Sequence, residues 1–120
     1  MAYHITTIIN NSDRSVALTN PAPKTSAGWV DSRLVPANES YSPERPILVN
    51  KTQGDYNTVV STALNIYTKL GNWCFWDNSS DEVRAVKEGG SSELVWTDAT
   101  AGDLTLTIES SGMPMTTKNG

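Results

Sequence analysis

Turn-forming residues recur every eight to twelve positions along this chain, and no stretch between them carries the 3.6-residue apolar period of a helix. Segments that short cannot hold a helix by packing one stripe, but they suit strands whose side chains alternate between two faces. The clearest case is Asp103-Leu104-Thr105-Leu106-Thr107-Ile108-Glu109, with apolar residues at strict spacing two and polar partners between them. It reads as a strand with one wet face. Residues 3–9 and 15–19 read as two more strands, joined by Asn10-Asn11-Ser12-Asp13 into a hairpin, because Asn, Ser and Asp tolerate turn conformations. Asn20-Pro21-Ala22-Pro23 ends that hairpin, since proline cannot donate to a ladder.

Further along, residues 28–35 suggest two strand fragments, and 36–46, with three prolines, form the longest irregular segment. Ile47-Leu48-Val49 is a compact strand and 58–68 the longest one, apolar on both faces as expected of a central position. Strands are also expected at 73–77 and 94–96, 83–87 reads as a strand with a short helix as the alternative, and 110–120 is a polar, frayed tail. The expectation is a single domain spanning 1–120, all-β, an antiparallel β-sandwich of about eight to ten short strands.

Composition removes several classes of function. The chain of 120 residues has a net charge of −4 and no cluster of Lys or Arg. It therefore lacks the basic patch needed to grip nucleic acid or to adsorb on anionic lipid by charge alone. Cys74 is the only cysteine, which rules out an internal disulfide and reads as a small buried hydrophobe. His4 is the only histidine, and no G-x-S-x-G elbow accompanies it, so neither a nucleophile–histidine pair nor a zinc site is indicated. Asp77, Ser79, Asp81 and Glu88 have the spacing of a calcium loop, but Glu82 stands where that loop needs glycine. A solvated turn is expected there. Gly89-Gly90 leads to no Lys-Ser/Thr and no helix, so it cradles no phosphate. The reading is a non-enzymatic protein without metal or cofactor. The first residues lack a basic segment followed by an apolar one, and no apolar run approaches the roughly 18 residues of a membrane helix. A soluble protein is expected, cytoplasmic or released by a non-standard route.

What remains is recognition through aromatic side chains. Trp73-Cys74-Phe75-Trp76-Asp77 concentrates ring bulk in five residues, with Trp73 and Phe75 on one strand face and Cys74 and Trp76 on the other. Such a strand is either buried on both sides or leaves one face of rings for a ligand. Trp73 and Trp76 with Asp77 and Asn78, together with Trp29 and Tyr41 beside irregular segments, are the candidate ligand-binding residues.

Met1-Ala2-Tyr3, the early Ile8-Ile9-Asn10, and the aromatic-Trp-Asp triplet Phe75-Trp76-Asp77 at a later strand end resemble the aegerolysins. Ile9-Asn10-Asn11-Ser12 in the first hairpin and Trp76-Asp77-Asn78 before a turn are likewise similar to the related small bacterial insecticidal crystal proteins. The resemblance covers the first twenty residues and the aromatic strand, and maps Trp76 and Asp77 onto a family position. It implies a β-sandwich that binds membrane lipid, often with a larger protein partner that permeabilises cells. Carbohydrate binding is the alternative, with an aromatic platform beside Asp and Asn groups. A protein-interaction or inhibitor module acting through the loop at 36–46 is the third. Pairing of open strand edges makes a homo-oligomer plausible in each case.

Overall fold

The computed structural model describes residues 3–19, 33–43, 47–78, 82–97 and 103–118, with backbone alone over 95–97 and 117–118. In chain order its elements are β1 (His4–Asn10), β2 (Val16–Thr19), β3 (Arg33–Val35), β4 (Ser40–Tyr41), β5 (Ile47–Leu48), α1 (Tyr56–Val59), β6 (Leu64–Thr68), β7 (Gly71–Asp77), β8 (Glu82–Lys87), β9 (Glu93–Thr97), β10 (Asp103–Ile108) and β11 (Pro114–Lys118).

The strands form two sheets. In the first, the order is β11-β10-β1-β4, with β5 also paired to β1. β4 and β5 share one edge of β1, one opposite Ile8 and Ile9 and the other opposite His4 and Ile5. The second sheet runs β3-β2-β6-β7-β8-β9, antiparallel throughout. Among the pairs of named strands, the expectation of antiparallel pairing fails at one place, because β1 and β10 run parallel. Parallel pairing needs a long crossover, and here nearly the whole chain supplies it.

Apolar residues at spacing two put Ile5 and Ile8 of β1 and Leu104, Leu106 and Ile108 of β10 onto one core. Val16 and Leu18 of β2, Leu64 and Ile66 of β6, Trp73 and Phe75 of β7, and Val83 and Ala85 of β8 join them from the other sheet. The bulky residues of that cluster are almost wholly excluded from water, each such side chain contributing about 1.5–3 kcal/mol of transfer free energy.

The first hairpin is not a hairpin. β1 and β2 lie in different sheets, so Ile5 and Ile8 meet Val16 and Leu18 across the core instead of edge to edge. The side chain of Asn10, fully buried, holds this corner. Its Nδ2 donates to the carbonyls of Arg14, Val35 and Pro36 at 2.7, 3.1 and 3.1 Å, while Oδ1 accepts from Ser12 N at 3.0 Å and Ser12 Oγ at 2.6 Å. Local amide bonds of this kind compete with ladder pairing and win here.

Two further expectations are corrected. The span 58–68 is not one strand: α1 opens the segment, and β6 begins only at Leu64. Asp55 caps the helix, its Oδ1 accepting from Thr58 N at 3.0 Å and Thr58 Oγ1 at 2.8 Å. Those two bonds, the hydroxyl first, hold the Asp55 carboxyl below its usual pKa. The expected frayed tail contains β11, paired residue by residue with β10 from Leu104↔Lys118 to Ile108↔Pro114. Met113 and Met115 pack on the core, and Pro114 and Thr116 are buried. The irregular segment at 36–46 holds the two-residue β4, with 44–46 outside the described residues.

Candidate functional site

Alternation along β7 decides what each aromatic does. Trp73 and Phe75 face the shared core, whereas Cys74 and Trp76 face outward from the second sheet. Tyr56 and Val59 of α1, with Ala63, close over that outer side and form a second small cluster with Cys74, Trp76 and Val86. The strand is thus enclosed on both sides. Trp73 is 6% exposed and Trp76 1%, so neither ring offers its face to a ligand at the surface. Both indole Nε1 atoms are buried without a hydrogen-bond partner.

Cys74 lies in the same layer. Its thiol donates to Asn65 Oδ1 at 3.0 Å, and burial, with Glu88 adding to it, pushes its pKa up to about 12. Only the thiolate attacks. Cys74 in the native protein is therefore expected to resist an aromatic disulfide reagent at pH 8 and to react fully once denatured. Rapid native labelling would show that α1 does not stay closed over it.

The remaining predicted residues separate. Asp77 is fully buried at the end of β7, where its Oδ2 accepts from Lys51 Nζ at 2.8 Å. Its backbone is fixed by Asp77 N to Asn50 O and Thr52 N to Asp77 O, both 3.0 Å. Tyr41 lies on the other sheet, half-buried, with the Arg33 guanidinium 4.3 Å from its ring centroid. Trp29 lies outside the described residues, as do 79–81 of the suspected calcium loop. Among the described residues, no three His, Cys, Asp or Glu side chains gather as metal ligands.

Trp76 and Asn78 do come together, in a cleft of about 340 Å³ lined also by Gln53, Gly54, Arg84 and Ser92. The cleft opens on the outer side of the second sheet, between the loop leading into α1 and the β8–β9 turn. Arg84 stands directly opposite Trp76 in the β7–β8 register. Its Nε donates to Ser92 Oγ at 3.2 Å and its Nη2 to Ser92 O at 3.3 Å, with Nη1 3.6 Å from Glu82 Oε1. Asn78 Nδ2 donates to that same Glu82 oxygen at 2.7 Å. Gly54 lets the loop close here: at φ 140° its conformation suits glycine, and a Cβ would stand 2.7 Å from the Thr58 side chain.

Of this lining, sequence reasoning named Trp76 and Asn78 and missed Gln53, Gly54, Arg84 and Ser92. Alternation in β8 puts Arg84 opposite Val83 and Ala85, which signals that it points away from the core. What it meets there depends on the fold of the 51–63 segment.

The outer side of this sheet carries one more feature. Ala17 pairs with both Leu34 and Tyr67, which makes a row across β3, β2 and β6. Tyr67 faces Asn72, on the Cys74–Trp76 side of β7, and Leu94 faces Arg84. Leu34, Tyr67 and Leu94 are 62%, 37% and 47% exposed. The exposed large apolar side chains among the described residues therefore share one face. Comparison with known protein families, with curated proteins and with solved structures finds no match. Among the described residues, no helix is long and apolar enough to cross a membrane.

Proposed function

We propose that this chain is a non-enzymatic membrane-lipid-binding protein, an aegerolysin-like β-sandwich that docks through the outer face of its β3-β2-β6-β7-β8-β9 sheet. The observation that carries the reading is that Leu34, Tyr67 and Leu94, on β3, β6 and β9, are all exposed on that one face. Leucine in contact with acyl chains and tyrosine at the lipid–water boundary are both at home there. A net charge of −4 gives no general attraction to anionic headgroups, so apolar contact and headgroup recognition must supply the affinity. Permeabilisation with a larger protein partner belongs to the same reading, through the resemblance carried by Phe75-Trp76-Asp77.

Sedimentation with vesicles of varied lipid composition tests it. The wild-type chain is expected to pellet with at least one composition, at a partition little changed by salt. The double variant Leu34→Asp/Leu94→Asp is expected to partition about thirtyfold less, since each leucine stands to bury only part of its side chain, on the order of 1 kcal/mol apiece. Failure of every composition to bring the protein down would end the proposal. If the chain then self-associated in a manner abolished by the same two substitutions, the face would be assigned to a second copy.

A further inference from the structure

We infer that a second cleft, between Arg14 and Lys69, is the headgroup pocket of the lipid-docking face and takes the phosphodiester of a zwitterionic phospholipid. This rests on the membrane reading above and deepens it. The cleft, of about 290 Å³, is lined by Asp13, Arg14, Ser15, Ala37 and Lys69. Two cations against one carboxylate leave a local charge of +1 on a chain whose net charge is −4. Asp13 does not use up Arg14. Its Oδ1 lies 3.8 Å from the Arg14 Nε, and both side chains are more than half exposed, conditions under which an ion pair contributes little. Among the described residues, the Lys69 ammonium has no ion pair or hydrogen bond. Arg14 is also held in place from below. Its carbonyl accepts from Asn10 Nδ2 at 2.7 Å and its N–H donates to Ser12 Oγ at 3.3 Å, and both partners are fully buried. A binding residue is effective when its backbone is positioned before the ligand arrives, and the Asn10 corner does this for Arg14.

Placement names the ligand. Ala17 pairs with Tyr67 across β2 and β6, which run antiparallel. Ser15 and Lys69 each lie two residues beyond that pair, at the same end, and alternation turns them to the same side of the sheet. The cationic cleft therefore adjoins the exposed row of Leu34, Ala17 and Tyr67. Cations beside an apolar row match an amphiphile whose phosphate sits next to its acyl region. A zwitterionic head fits the lining better than an anionic one, its phosphate toward Arg14 and Lys69 and its ammonium toward Asp13. It also spares a chain of net charge −4 the repulsion of an anionic surface. The volume lies at the lower end of ligand cavities, about 300–1,000 Å³, and suits a headgroup and not an acyl chain.

Sedimentation of the full chain with three kinds of vesicle tests the pocket: phosphatidylcholine, phosphatidylglycerol, and an uncharged galactolipid that carries no phosphate. The ¹⁵N spectrum is titrated in parallel with glycerophosphocholine and, separately, with inorganic phosphate. The expected result is pelleting with phosphatidylcholine above the other two, and glycerophosphocholine shifts centred on the Arg14, Ser15 and Lys69 amides. The double variant Arg14→Gln/Lys69→Gln is expected to partition into phosphatidylcholine about tenfold less, two exposed charge contacts being lost. Both residues are exposed, and an unchanged urea midpoint shows that the variant keeps its fold. Galactolipid vesicles that pellet the protein equally well, or a double variant that binds phosphatidylcholine undiminished, would overturn this pocket and leave the membrane reading standing. Preference for phosphatidylglycerol overturns the zwitterionic assignment, as does a response to inorganic phosphate without one to glycerophosphocholine. Absence of all vesicle binding ends the membrane reading. Glycerophosphocholine that still moved the Arg14 and Lys69 amides would then keep the pocket for a free headgroup, and a silent titration would end both.

Discussion

Asn10→Ala is expected to lower the unfolding free energy by about 3 kcal/mol or more, a large share of the roughly 5–15 kcal/mol that holds a domain together. The amide is enclosed, and removing it strips a hydrogen-bond partner from the carbonyls of Arg14, Val35 and Pro36 and from Ser12. Buried backbone groups left unpaired cost about 1–3 kcal/mol each. Water reaches the Arg14 and Pro36 side of the corner, which keeps the sum below the upper bound. Asn10→Asp should do at least as much damage, because it keeps the acceptor but turns a carboxylate oxygen toward three carbonyls. Urea titration followed by tryptophan fluorescence reads both variants. A loss under about 0.5 kcal/mol for the alanine variant, the size of an ordinary surface change, would show that solvent substitutes for the amide and that the corner is held elsewhere.

Removing residues 113–120 is expected to leave no cooperative unfolding transition at room temperature. β11 pairs with β10 along five positions, and Met113 and Met115 cover the core beside it. Without them β10 becomes an edge with Leu104, Leu106 and Ile108 losing their cover on one flank, and the loss approaches the whole stability of a domain this size, ~5–15 kcal/mol. β9 also lies alongside β11, so the second sheet loses a neighbour as well. Circular dichroism and a denaturant titration of the truncated chain decide it: a sharp transition with an unchanged midpoint would restore the picture of a dispensable tail.

How much of this was legible in the residues depends on the range of the interaction. Period-two alternation located β1, β2, β7 and β10 to within a residue or two, because a strand's two faces are written locally. The same rule misled at 58–68, where Tyr56, Val59 and Ala63 follow helical spacing behind the Asp55 cap; a single turn is too short to show a period. It missed β11 because Pro114 and two threonines look like loop, and only pairing with β10 makes them strand. Sheet membership was out of reach altogether. Nothing near Asn10 states that the chain must cross to the opposite sheet, since the carbonyls of Val35 and Pro36 that fix the corner lie 25 and 26 residues away.

The site divides in the same way. The Trp76-Asp77-Asn78 triplet lies at the end of β7, but whether its ring met water or α1 was decided by a helix the pattern did not announce. Arg84 and Ser92 enter the cleft through the β7–β8 and β8–β9 registers, which are tertiary facts.

The parallel pair of β1 and β10 joins segments separated by most of the polypeptide; Thr6 Oγ1 reaches the Leu104 carbonyl across 98 positions. A ribosome delivers the first of these strands long before the second exists. Until then β1 waits with one flank unmatched, and loop closure over that distance must be met before the contact rewards it. Completion of this sheet accordingly waits for β10, and the early strand depends on remaining unclaimed by other polypeptides while its partner is still being made.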